Sequence, residues 1–378
     1  MSFRAGHARA SGWREAAEGC LAAIGEPPPG ASIGFVYFTD HFVAEAAELV
    51  GYLRDATGID EWVGSVGVGV LGGATEYMDE PAVAVLLADL PEGEFRVFSG
   101  KARPPAAGER TASGAEAAHF AIVHGDPGTH DMPELIEDMS GKVASGFLVG
   151  GLSSSRGASC QVANAVLRGG LSGVVLSSAI PVATRLTQGC TPLGTDAGAP
   201  ARHVVTEGER NIIVTLDGRP ALDVFLEDVG EVLARDLRRA ARFIHAGIPV
   251  SGSDTGDYTV RNLVGIDPQN RLLAIGAPVE KGMPLMFCKR DAQSAREDLG
   301  RMLESIAHEI GGRRGGRPRG GLYYSCLGRG EHMFGARSAE LEIIRARLGE
   351  FPLVGFFCNG EISHDRLYGY TGVLTLFL

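Results

Sequence analysis

The sequence predicts an α+β fold built from a repeated αββ unit, in mainly antiparallel sheets with helices outside. Three observations carry this. Amphipathic stripes at helical spacing alternate with short β-type runs. The runs are unusually rich in glycine, with 54 glycines in 378 residues, well above ordinary usage. A helix followed by two strands recurs, which marks an internal repeat. Two sheets packed face to face, a four-layer α-β-β-α sandwich, is the architecture expected from such units.

Taken along the chain, Ile33–Phe38 reads as a strand. Phe42, Ala46, Leu49, Val50 and Leu53 then form one helical stripe with Asp40 as its N-cap. A glycine-rich strand over Val66–Leu71 and the strand Ala82–Ala88 complete the first unit. A looser copy runs from Glu134 through Gly146–Val149 to Gly173–Ser177. The small-residue stretch 187–203 separates it from Ile212–Leu216, which is followed by an Asp217-Gly218 turn. Val229, Val232, Leu233, Leu237, Ala240 and Ile244 line a long helix. Leu272–Ile275 is a strand, and Leu299, Met302, Leu303, Ile306 and Ile310 face inward from a further helix. The last unit is the clearest: strand Leu322–Ser325, a helix capped by Ser338 and carrying Leu341, Ile344 and Leu348, then Leu353–Phe357 and Gly372–Phe377.

Composition narrows the function. Thirty-five basic against 46 acidic residues give a net charge of −11, which works against binding nucleic acid or an anionic membrane. The one basic cluster, Arg313, Arg314, Arg317 and Arg319, reads as a solvated loop. Six cysteines stand without CxxC pairs or framework spacing, and the N-terminus lacks the apolar core of a signal peptide. A cytoplasmic protein with reduced thiols is expected, and no apolar run is long enough to span a bilayer. No Walker sequence is present, and GVGVLGG is followed by a strand where a dinucleotide site needs a helix. No cofactor is therefore expected.

Several segments are familiar as words. They are VTLDGRPALDVF, GIDPQNRLLAIGAPVEKGMPL, LYYSCLGRGEHMFG, PLVGFFCNGEIS and the YTGVLTLF ending, with looser matches at FVYFTDHF, VGSVGVGV, GFLVGGLSSS and TQGCTPLG. Through them the chain resembles the FIST family of sensory proteins. The resemblance implies a FIST N-type region over 1–200 and a FIST C-type region over 201–378, in a stand-alone copy without a fused signalling domain. It implies a small-molecule ligand, amino acids being the favoured class, and a signalling protein partner, with no chemistry of its own.

Candidate ligand-binding residues follow. Ser325, Cys326 and Arg329 sit where a strand runs into a glycine-bracketed turn that offers hydroxyl, thiol and N–H groups; Arg329 adds a planar fork suited to a carboxylate. Asn359-Gly360 reads as a two-residue hairpin, and Glu361 just beyond it is placed to receive an ammonium group. Arg329 and Glu361 together would complement the two charges of an amino acid. Ser153 and Ser154, at the end of a strand, and Gln188, in the TQGC segment, complete the set; for each, a purely structural polar role is the alternative. Two other function classes remain. A thiol hydrolase or transferase would use Cys326 with His332 and Glu361, and a structural adaptor would show a wide apolar patch. A zinc site from Cys190, Cys326, Cys358, His332 and His364 lacks paired-ligand spacing.

Overall fold

The computed structural model describes residues 1–194, 200–234, 237–250, 258–312 and 316–378. Arg313, Arg314 and the middle of the 187–203 stretch lie outside these. The chain forms two compact units, Met1–Thr187 with Leu299–Leu378, and Gln188–Asp298. The expected boundary near residue 200 falls within the second unit.

The first unit holds three six-stranded sheets built by one rule. In each, a strand passes through a helix to a parallel neighbour, continues into a two-strand excursion and returns antiparallel along the first strand's other edge. The three first-and-second pairs are Ile33–Thr39 with Glu61–Gly67, Phe120–Gly125 with Phe147–Leu152, and Gly320–Cys326 with Leu353–Cys358. Their helices are Ala46–Thr57, Met132–Gly141 and Ala339–Leu348. The returning strands are Ala82–Ala88, Leu171–Leu176 and Thr371–Phe377.

The excursions do not stay at home. Gly69–Gly72 and Thr75–Met78, from the first repeat, pair onto Leu353–Cys358 of the third. Glu361–His364 and Arg366–Tyr368, from the third, pair onto Phe147–Leu152 of the second. Gln161–Ala163 and Val166–Leu167, from the second, pair onto Glu61–Gly67 of the first. Each repeat thus gives a hairpin to one neighbour and takes one from the other.

The repeat and the α+β class therefore stand, but three sheets enclosing one interior replace the two-sheet sandwich. Phe35 and Tyr37, Ile122 and Val149, and Leu322, Tyr324 and Phe356 meet in that interior, all fully buried. Strand residues that alternate with these, such as Val36 and Phe38, pack outward against Leu49 and Leu53 of a helix. Both faces of each central strand are covered, so the runs are continuously apolar. The equivalent glycines Gly64, Gly150 and Gly355 fix the spacing: a Cβ there would lie 1.8, 1.8 and 1.7 Å from the carbonyl oxygens of Val36, Val123 and Tyr323.

Two strand readings change accordingly. The run Val66–Leu71 breaks at Val68, where the chain crosses from one sheet to the next. Asn359-Gly360 is likewise a crossover and not a hairpin, since Leu353–Cys358 and Glu361–His364 belong to different sheets. Asp40 does not cap a helix. Its carboxylate accepts from Arg156 N, Nε and Nη2 at 2.8, 2.9 and 2.6 Å. Ser338 does stand at an N-cap, but its hydroxyl accepts from Glu76 N at 2.9 Å.

In the second unit, Pro284–Arg290, His203–Glu209, Ile212–Leu216, Leu272–Ile275, Tyr258–Asp267 and Ile244–Pro249 pair in that order, and the last returns to the first. Every one of these pairings is antiparallel, and the return pairing of Ile244–Pro249 with Pro284–Arg290 closes the sheet as a barrel. Phe225 of the helix Ala221–Ala234 meets Phe287 edge-on, with ring centroids 5.0 Å apart, in its apolar core. The single long helix expected here is interrupted. Gly230 takes φ 75°, a second helix spans Leu237–Phe243, and Ile244 begins a strand.

Candidate functional site

The carboxyl ends of paired parallel strands are a common place for ligands in α/β sheets. Here the three repeats can be compared position by position. A side chain at the end of each first strand, or one residue past it, accepts a hydrogen bond from the backbone that leads into the returning strand. Thr39 Oγ1 accepts from Ala82 N at 3.0 Å, and Asp126 Oδ2 from Gly169 N at 2.8 Å. Cys326 Sγ accepts from Tyr370 N at 3.3 Å. Part of the work of Cys326 is therefore to close its repeat.

The third repeat adds a buried ion pair. Arg329 is fully buried and bound to Glu340, with Nε and Nη2 at 2.8 and 2.7 Å from Oε1. Glu340 also accepts from Tyr323 Oη at 2.5 Å, Ser325 Oγ at 3.0 Å and Gly330 N at 3.3 Å. Phe334 lies 5.2 Å from the guanidinium carbon, measured to the ring centre. Burial opposes the charge on Arg329, but the carboxylate beside it outweighs that and holds the pKa above its ordinary value.

Glu361 is also fully buried. Its Oε2 accepts from Thr371 Oγ1 at 2.8 Å and Thr371 N at 3.2 Å, while among the described residues Oε1 has no hydrogen-bond partner beyond the Cys326 thiol that lies against the carboxyl. Burial pushes its pKa up to about 8, against the pull of the Thr371 hydrogen bonds, Arg329 and the Cys326 thiol. A third buried carboxyl, Glu76, arrives on the hairpin from the first repeat. Burial first and the charge of Glu340 second push it up to about 7, and its Oε1 also lacks a partner among the described residues.

The structure thus brings Ser325, Cys326, Arg329 and Glu361 together, but in different roles from those expected. Arg329 and Ser325 are spent on Glu340, so the two-sided complement of Arg329 and Glu361 to an amino acid is not open as drawn. Asn359 is exposed at the crossover, and its backbone N–H donates to Leu152 O at 3.1 Å. Ser153 and Ser154 are buried and structural. Ser153 Oγ lies 2.8 Å from Ser65 Oγ, and Ser154 Oγ donates to Phe357 O at 2.5 Å while accepting from Val68 N at 2.9 Å. Gln188 belongs to the second unit, where its N donates to Asp298 Oδ2 at 2.6 Å and its Nε2 to Tyr258 O at 3.1 Å.

Among the described residues, no contact makes Cys326 an activated thiol. Burial and the neighbouring Glu361 push its pKa up to about 12, and a protonated thiol is a poor nucleophile. His332 is exposed on the short helix Glu331–Phe334, and no hydrogen bond joins it to Cys326 among the described residues. No group of three or more His, Cys, Asp or Glu fit to hold a metal occurs among the described residues.

Glu340, Glu76 and Tyr370 escaped the sequence reading. Glu340 left a trace, since it keeps step with Ile344 and Leu348 at four-residue spacing and so falls on the buried stripe. Tyr370 takes φ 64°, whereas the matching position of the second repeat is Gly169, at φ 75°. Glu76 gave no signal, because its burial depends on which sheet its hairpin joins.

Comparison with known proteins gives a consistent family. Residues 32–219 match the FIST N domain and residues 221–364 the FIST C domain. The chain is 32% identical over 352 residues to the uncharacterized protein Rv0628c of Mycobacterium tuberculosis, covering 88% of each. It is also 32% identical over 337 residues to the uncharacterized protein Mb0898c of Mycobacterium bovis, covering 84% of this chain and 82% of that one. No helix among the described residues is long and apolar enough to cross a membrane.

Proposed function

Because the chain belongs to the FIST family, whose domains are associated with sensory and signal-transduction roles, we propose that it is a sensor for a small ligand bearing a primary ammonium group, amino acids being the first class to test. The observation that carries this reading is Glu361, a fully buried carboxyl with one oxygen held by Thr371 and the other, among the described residues, with no oxygen or nitrogen donor. A buried acceptor left unsatisfied costs free energy, and an ammonium donor would recover it. Cys326, whose thiol lies against this carboxyl, is half-buried, which supports approach of a ligand from its side. The backbone of Tyr370 and the side chain of Thr371 connect that approach to the C-terminal strand, the route by which a signalling partner would read occupancy.

The test is a thermal-shift screen of the full chain against amino acids and simple primary amines. A ligand at about 100 times its dissociation constant adds roughly 2.7 kcal/mol of stability. The shift is expected in the wild type and absent in Glu361→Ala. A flat response at millimolar ligand, or an equal shift in Glu361→Ala, would overturn the reading.

A further inference from the structure

The second repeat supplies an internal control for Glu361. Glu361 lies opposite Gly151 across its sheet, and Gln161 lies opposite Ser65 in the matching register. Gln161 is also fully buried, yet both ends of its amide are used: Nε2 donates to Gly170 O at 3.3 Å, and Oε1 accepts from Ser172 Oγ at 3.1 Å. The fold is thus satisfied at this position by a neutral side chain. The third repeat has an acid there instead, with one oxygen that has no oxygen or nitrogen donor among the described residues.

Among the described residues, the surroundings of Glu361 provide no counter-charge beyond Arg329, which is shared with Glu340. Strand Gly320–Cys326 brings Cys326, and strand Leu353–Cys358 brings Cys358, whose thiol burial holds protonated. The loop brings Arg329, already bound to Glu340. Strand Arg366–Tyr368 brings Tyr368 as register partner, strand Phe147–Leu152 brings only Gly151, and Thr371 gives uncharged donors. A buried carboxyl in such company is neutral until a cation arrives.

We infer that Glu361 is a proton-exchanging group: it is held as a neutral carboxylic acid in the free protein and ionises as a ligand's ammonium group takes its place against Oε1. The inference rests on the ammonium reading above. In the exchange the O–H bond of Glu361 breaks, its electron pair stays on the carboxylate, and the proton passes to water or buffer. The ammonium keeps its own protons, so one proton leaves for each ligand bound. Binding then tightens with rising pH by about tenfold per unit below the pKa of Glu361, and levels off above it.

The experiment has two arms, both on the full chain. In the first, no ligand is present. Infrared spectroscopy of the wild type is expected to show a protonated buried carboxyl near neutral pH that titrates at about 8 and is missing from Glu361→Gln. A Glu361 already ionised at pH 5 would overturn the inference and leave the ammonium reading intact. In the second, calorimetry with glycine, L-alanine and methylammonium is repeated in buffers of different ionisation enthalpy. The expected result is about one proton released per ligand at pH 6.5, falling towards none above pH 9. Binding without proton release would overturn the coupling. If no probe bound, the ammonium reading itself would fall and the coupling with it.

Discussion

At Glu361 the fold holds a proton that an unfolded chain would give up. Its pKa rises from 4.5 to about 8 on folding, so between those values the folded state binds more protons than the unfolded state. Unfolding free energy therefore falls as pH rises through that window and is flat above it. Glu76 adds a term of the same sign between 4.5 and about 7. Glu361→Gln should flatten the profile and be more stable than wild type at pH 8 by a few kcal/mol, an order-of-magnitude figure; urea unfolding from pH 5 to 9 measures it. Arg329 behaves differently. Removing one partner of a buried ion pair leaves the other charge stranded, so Arg329→Ala should cost about 3–5 kcal/mol, read by the same unfolding assay. This is why Arg329 is a poor probe of binding and Glu361 a good one. The sequence marked both residues as chemically notable. It could not show that Glu340, eleven positions from Arg329 along the chain, already occupies the guanidinium.

Among the elements, burial periodicity was legible and partnership was not. Ala82–Ala88, Ile212–Leu216 and Leu272–Ile275 are strands with the bounds their apolar runs suggest. Asn359-Gly360 misleads because a two-residue turn and a two-residue crossover use the same backbone freedom; only the choice of neighbouring sheet separates them. Glycines record that choice more faithfully. Gly355→Ala would press a Cβ to within 1.7 Å of Tyr323 O, which a packed sheet cannot absorb. It should cost more than about 4 kcal/mol and leave little soluble folded protein, whereas Gly300→Ala, on a helix with open space around it, should not. In the second unit, His203 joins a hairpin to a helix, with Nδ1 2.7 Å from Asp217 Oδ2 and Nε2 2.9 Å from Asp228 Oδ2. Burial disfavours its charged form, but the two aspartates outweigh burial and raise its pKa above 6.5. Its contribution is thus complete below pH 6.5 and is lost as pH rises through the folded value. His203→Gln should lower stability at pH 6 more than at pH 9, by calorimetry at the two pH values.

Across the first unit, the three repeats meet at Tyr37, His124 and Tyr324, which hold matching positions. Tyr37 Oη lies 3.0 Å from Tyr324 Oη and 3.2 Å from His124 Nε2, all fully buried, and burial lowers the His124 pKa to about 3. The sequence hints at this centre only through the tyrosines of FVYFTD and LYYSC, since nothing in either segment names the other. Because every sheet contains strands from two repeats, no repeat can open alone without stripping an edge from its neighbour. Hydrogen exchange should therefore release amides of Val36, Val123 and Tyr323 in one common opening event; one repeat exchanging well ahead of the others would contradict this. The same circulation of hairpins makes each repeat complementary to a copy of itself. A single repeat carries both the arm it offers and the edge that accepts one, so three separate copies of such a peptide have all that is needed to lock into a ring. Within one polypeptide each corner is free to differ from the other two, and the third is where Glu361 and Arg329 are buried.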